Sequence, residues 1–242
     1  MHEKLKKSIA ELRGHTVAPL VGIREIFYGY EEFPHSPNYL TRDDVKLGLR
    51  ILEKEGVPYD FFVIGGWKSF PVQFVPDMAE EFPELKINIH HIACPEISKS
   101  ERRQSVHFKG GHILMLNLIA EKPGFKAWAD AMSAAAAHPN VYCKISDLLS
   151  VDNNRTATGE RGWKLETVKP YTDHVISAFG TDRCMYGSNW PVCTIPRSEH
   201  GDTAEYDDAI ADFKKVVAEF SPMEQQAMAA GNAKRFYGLK DL

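Results

Sequence analysis

The chain has 242 residues, 43% hydrophobic and 26% charged, enough to bury a sizeable core as one barrel or two small domains. Its 29 Lys and Arg against 33 Asp and Glu leave a net charge of −4, which excludes the basic excess of a nucleic-acid-binding surface. No run approaches the roughly 18 apolar residues of a membrane span. The charged start has no apolar signal-peptide core, and the four scattered cysteines lack a C-x-x-C pair, so reduced thiols in a cytoplasmic protein are expected.

Leu5, Ile9 and Leu12 recur at helical spacing and predict an amphipathic helix over Glu3–Arg13. Residues 20–28, rich in β-branched and aromatic side chains, predict a strand that carries Arg24. A buried strand arginine needs an anion, so Arg24 is either a structural ion pair or a ligand for an anionic group. After a loop holding Pro34 and Pro37, Thr41 is placed as the cap of a helix over Asp43–Glu55, closed by Gly56. A strand follows at Tyr59–Ile64 and ends at Gly65-Gly66, then a helix over Val72–Phe82 that Pro83 stops. The next strand, at 86–92, brings His90 and His91 to its end. Alternation along a strand lets only one of them face a given side. Such a histidine is either a hydrogen-bonded core residue or a functional one.

Residues 98–122 open as a charged loop and continue as an apolar patch, readable as an additional strand, a short helix or an insertion. Beyond them a helix over Phe125–Ala137, a strand at Val141–Ile145, a polar loop at 152–162 and a helix over Leu165–Phe179 lead to a strand at 184–187. Helices over Tyr206–Phe220 and Pro222–Gly231 precede the closing GNAKRFYGL. Strands alternating with helices predict a parallel sheet covered by helices. Five strands are clear and 112–118 is a candidate sixth, against the eight of a closed (β/α)8 barrel.

In CMYGSNWPVC, Cys184 to Cys193, a short apolar strand is broken by Gly187, and Pro191 forbids further pairing. Ser188, Asn189 and Trp190 are therefore presented at a strand end. That is where an α/β barrel keeps its catalytic mouth, although a plain strand-to-loop turn has the same residues.

GIRE at Gly22, IHHIACP at Ile89–Pro95, HPNVYCKIS at His138–Ser146, PYTDHVISAFGTDRCMYGSNWPVC at Pro170–Cys193 and GNAKRFYGL at Gly231 together resemble the lactonase-like, amidohydrolase-related branch of the amidohydrolase superfamily. The resemblance runs over most of the chain. It implies a single (β/α)8 TIM-barrel-like α/β domain over 1–242, with a possible insertion at 98–122. It further implies a hydrolase of lactones of sugar acids or similar carboxylated cyclic esters, acting on a small-molecule substrate. By that resemblance Arg24 matches the arginine that grips the substrate anion and His91 the histidine that polarises the carbonyl. Lys144 and Ser146 match the K-x-S segment, Lys144, Ser188 and Trp190 are implied to bind the substrate, and Asn189 stands where the family carries the aspartate general base.

Three departures qualify it. The chain contains no H-x-H, the family's first-strand pair, so the N-terminal part of the barrel is expected to be absent. His90 stands where an aspartate is common. Asn189 has no basic lone pair and cannot take a proton. The resemblance therefore implies an impaired hydrolase, or alternatively a non-catalytic or truncated relative that keeps the pocket. No tightly bound metal is expected, because zinc takes three or four ligands, although full-length relatives have a place for a divalent metal. No nucleic-acid or membrane partner is expected, and exposed sheet edges predict homo-oligomer formation.

Overall fold

The computed structural model describes residues 2–15, 20–28, 41–64, 72, 74–95, 123–147, 165–194 and 206–239. The expected features at 31–40, 65–66, 98–122 and 152–162 lie outside them.

Among the described residues five strands form one parallel sheet in chain order: β1 (Ile23–Tyr28), β2 (Tyr59–Ile64), β3 (Ile87–Ile89), β4 (Val141–Ser146) and β5 (Cys184–Gly187). Helix α1 (His2–Arg13) precedes them. Between them run α2 (Asp43–Lys54), α3 (Phe74–Glu81), α4 (Pro123–Ala136) and α5 (Leu165–Phe179). After β5 come α6 (Tyr206–Val216) and α7 (Pro222–Gln226), then a π-helical turn (Ala227–Gly231) and α8 (Asn232–Tyr237). This is the α/β, TIM-barrel-like succession that the alternating pattern predicts, each parallel pair joined through a helix. The helix expected over Pro222–Gly231 is α7 and the π-helical turn, and GNAKRFYGL continues it as α8.

The two faces of the sheet differ in chemistry. Tyr59, Phe61, Ile87, Ile89, Val141, Cys143, Ile145 and Cys184 alternate onto the helix side and are all buried in one apolar cluster with the surrounding helices. The intervening residues face the other way, and the register sets Arg24 opposite Asp60, Asp60 opposite Asn88, and Lys144 opposite Met185. The inner face is thus studded with polar groups, as in a barrel that keeps its chemistry inside.

Side-chain amides and one guanidinium secure the helix ends. Asn140 donates to the carbonyls of Ala79, Phe82 and Leu85 at 3.0–3.3 Å after α3. Arg183 donates to those of Ala136, His138 and Val141 at 2.8–3.0 Å after α4. Asn232 reaches the carbonyls of Thr181 and Cys184 at 2.7 and 2.6 Å. These bonds satisfy carbonyls that a helix or strand terminus leaves without partners.

Several sequence expectations are corrected. Arg42, not Thr41, occupies the N-cap of α2. Arg24 is exposed, so no burial forces an ion pair on it. The strand expected over 86–92 ends at Ile89, because His91, Ile92, Ala93 and Cys94 take left-handed φ angles of 54°, 48°, 59° and 47° that cannot continue a ladder. The four cysteines are free thiols, as the sequence predicts. Among the described residues no helix is long and apolar enough to cross a membrane.

Candidate functional site

The left-handed run after β3 is costly, about 1–2 kcal/mol per residue, since each Cβ crowds the following carbonyl oxygen. Ile92, β-branched, tolerates it worst. The surroundings hold it in place. The Cys94 amide donates to the His91 carbonyl at 2.8 Å, and the buried Trp128 indole donates to the Ile92 carbonyl at 2.9 Å. Trp128 is itself fixed in a trio with Phe125 and Tyr171, ring centroids 5.6 and 5.0 Å away.

Non-glycine residues at positive φ recur at the ends of the next two strands, Asp147 (58°) after β4 and Asn189 (59°) after β5. Three neighbouring strand ends with strained backbone form one ledge, the pattern of a functional site. Two hydrogen-bonded pairs cross it. His91 Nδ1 lies 2.7 Å from Ser146 Oγ, both side chains buried. Asn189 Nδ2 donates to Asp147 Oδ1 at 2.6 Å, both residues half-buried. Gly187 lets β5 approach here: a Cβ at that position would stand 3.0 Å from Ser146 Cβ.

Below the ledge, on the inner face, lies a buried charged cluster. Asp60 accepts from Asn88 Nδ2 at 2.8 Å, the Tyr237 hydroxyl at 2.7 Å and His90 Nε2 at 3.0 Å, with Lys144 Nζ 3.7 Å away. Lys144 donates to the Tyr237 hydroxyl at 2.6 Å. Burial pushes the Asp60 carboxyl up, but His90, Lys144 and Tyr237 outweigh it and hold the group at about 2. Burial lowers His90, assisted by the charges of Lys144 and Arg24 and opposed by Asp60, so the ring is neutral near pH 7. His90 Nε2 lies 3.0 Å from Asp60 and 3.3 Å from Lys144 Nζ, and the closer, ionised Asp60 favours the proton on Nε2. Nδ1 then carries the lone pair, buried and without a hydrogen-bond partner among the described residues. Burial likewise lowers Lys144, Asp60 opposing and Arg24 assisting.

His91, Ser146, Ser188 and Asn189 are thus brought to the strand ends. Ser188 Oγ accepts from the Trp190 amide at 3.1 Å, and the Trp190 side chain is exposed. Lys144 belongs to the cluster beneath, its ammonium engaged by Tyr237 and Asp60. Arg24, on β1 beside Asp60, lies 5.9 Å from the Phe62 ring centroid. The alternation argument does not separate His90 from His91, because the strand has ended. Both are buried, with ring centroids 5.5 Å apart, one turned to Asp60 and the other to Ser146. Asp60, Asn88, Asp147 and Tyr237 escape sequence reasoning. The available signal was an acid or amide inside an apolar strand, as in YDFFVI and INI.

Among the described residues no three His, Cys, Asp or Glu side chains converge. That donor set does not fit zinc, and no step below is routed through a metal.

A family model described as amidohydrolase matches residues 30–239. An uncharacterized protein of Sinorhizobium fredii, y4mH, is 28% identical over 209 residues, 86% of this chain and 56% of its own length. The L-fucono-1,5-lactonase of Burkholderia ambifaria is 31% identical over 160 residues, 66% of this chain and 43% of its own length. This chain therefore spans about half the length of these relatives. The crystal structure of an amidohydrolase from Burkholderia multivorans with bound zinc shares the fold, with a TM-score of 0.71 and 22% identity over 98% of this chain and 70% of that one. A family match over most of the sequence, joined to the parallel sheet and its strand-end ledge, makes this chain a member of the amidohydrolase family.

Proposed function

We propose that the chain hydrolyses lactones, the cyclic esters of sugar acids or similar carboxylated rings. The observation that carries this reading is the ledge of paired polar groups, His91 with Ser146 and Asp147 with Asn189, at the C-terminal ends of three adjacent parallel strands. The similarity to an L-fucono-1,5-lactonase supports the choice of substrate class.

In this reading the Ser146 hydroxyl donates to His91 Nδ1 and so keeps the ring proton on Nε2, the form that donates to an ester carbonyl. Arg24, exposed and not bound in an ion pair among the described residues, receives a substrate carboxylate or ring hydroxyls. Ser188 and Trp190 form the outer wall, and Asn189 orients water without activating it. Turnover by the purified chain of a panel of aldono-1,5-lactones, followed as acid release, tests the proposal. Wild type should exceed the buffer rate, and His91→Ala should lower kcat by about 10²-fold. An unchanged His91→Ala rate rules out its role.

A further inference from the structure

Asn189 cannot take a proton, so a lactonase built on this ledge needs its base elsewhere. Resting on the lactonase reading, we propose that Asp147 is that base, the carboxylate having its place at the end of β4 with the amide at the end of β5.

The geometry of the pair carries the proposal. Asp147 Oδ1 lies 2.6 Å from Asn189 Nδ2, so the carboxylate stands directly against the amide. The bond has one polarity: the amide donates and the carboxylate accepts, which favours the ionised form a base requires. Asp147 follows Ser146, the hydrogen-bond partner of His91, which is the group assigned to the carbonyl. Asp147 lines a cleft with Tyr186, Gly187, Ser188, Cys193 and Asp212.

The backbone agrees. Asp147 and Asn189 sit at nearly the same left-handed φ, 58° and 59°, a conformation that Asp and Asn tolerate better than other non-glycine residues. Either residue therefore suits either position, and exchanging the two changes which strand bears the charge without new backbone strain.

Water gives a proton to the Asp147 carboxylate as its oxygen bonds to the lactone carbonyl carbon. When the ring C–O bond breaks, the leaving alkoxide takes the proton back from Asp147. The products are the open hydroxy acid and the regenerated carboxylate.

Three variants of the full chain test this: Asp147→Asn, Asn189→Asp, and the exchange Asp147→Asn with Asn189→Asp. Each is assayed for lactone hydrolysis across pH and for thermal unfolding. Asp147→Asn should lower kcat by about 10²- to 10⁴-fold. Asn189→Asp sets two carboxylates together, and should move the acidic limb of the pH profile to higher pH. The exchange should recover at least tenfold of the lost rate. Wild-type kcat in Asp147→Asn, with the lactones still turned over, overturns the base and leaves the lactonase reading standing. So does an Asp147→Asn that is slow while folded, with no recovery in the exchange. A wild-type chain that turns over no lactone overturns both.

Discussion

At the residue scale, the cluster around Asp60 controls the response to acid. The native chain holds Asp60 at about 2 against an ordinary 3.8, so its ionised form contributes about 2 kcal/mol above pH 4, lost as pH falls from 3.8 towards 2. His90 acts in the same direction at higher pH. Its native form binds a proton more weakly than the unfolded chain, whose ordinary value is 6.5, so stability also declines as pH falls below 6.5. Urea unfolding across pH should therefore show two acid-dependent stages. Asp60→Asn should abolish the lower one and cost about 3–5 kcal/mol at neutral pH by leaving Lys144 without its anion. A flat stability between pH 7 and 3 would contradict both assignments. None of this was legible in the sequence, because the partners of Asp60 lie 28 to 177 residues away and only the strand register brings them together.

At the scale of elements, the closeness of β4 and β5 decides the shape of the ledge. Gly187→Ala would drive a methyl against Ser146 Cβ at 3.0 Å, displacing the serine that holds His91. The variant should lose about 1–3 kcal/mol in urea unfolding and lose lactone turnover with it. Helix α8 is tied to the sheet at its start by Asn232, which donates to the Cys184 carbonyl, and at its end by the Tyr237 hydroxyl, which donates to Asp60 and accepts from Lys144. Tyr237→Phe keeps the ring and removes that bond, and should cost about 1–3 kcal/mol in the same measurement. The five strands and the helices between them were legible because apolar periodicity and glycine and proline punctuation agree along the chain. The end of β3 was not. Nothing in IHHIAC marks a left-handed turn, and its conformation is held by Trp128, far along the sequence.

At the scale of the molecule, much of the recognisable family sequence maintains the scaffold. The asparagine of HPN, the arginine of TDR and the asparagine of GNAK hold carbonyls at the ends of helices and strands, away from the ledge. Those motifs made the family and fold readable, and the paired polar groups of the ledge lie at other positions, around the strand ends. There the ledge brings together His91 after β3 and Asn189 after β5, two of the residues singled out in the sequence. Nothing in the sequence hints that Asp147 stands against the amide, a contact between the ends of two strands 42 residues apart.

Acid release from aldono-1,5-lactones by the wild-type chain, set beside His91→Ala, decides whether the ledge hydrolyses lactones. Wild-type hydrolysis should exceed the buffer rate and fall about 10²-fold in the variant. A wild-type rate equal to buffer, or a variant as fast as wild type, would contradict lactone hydrolysis by the ledge.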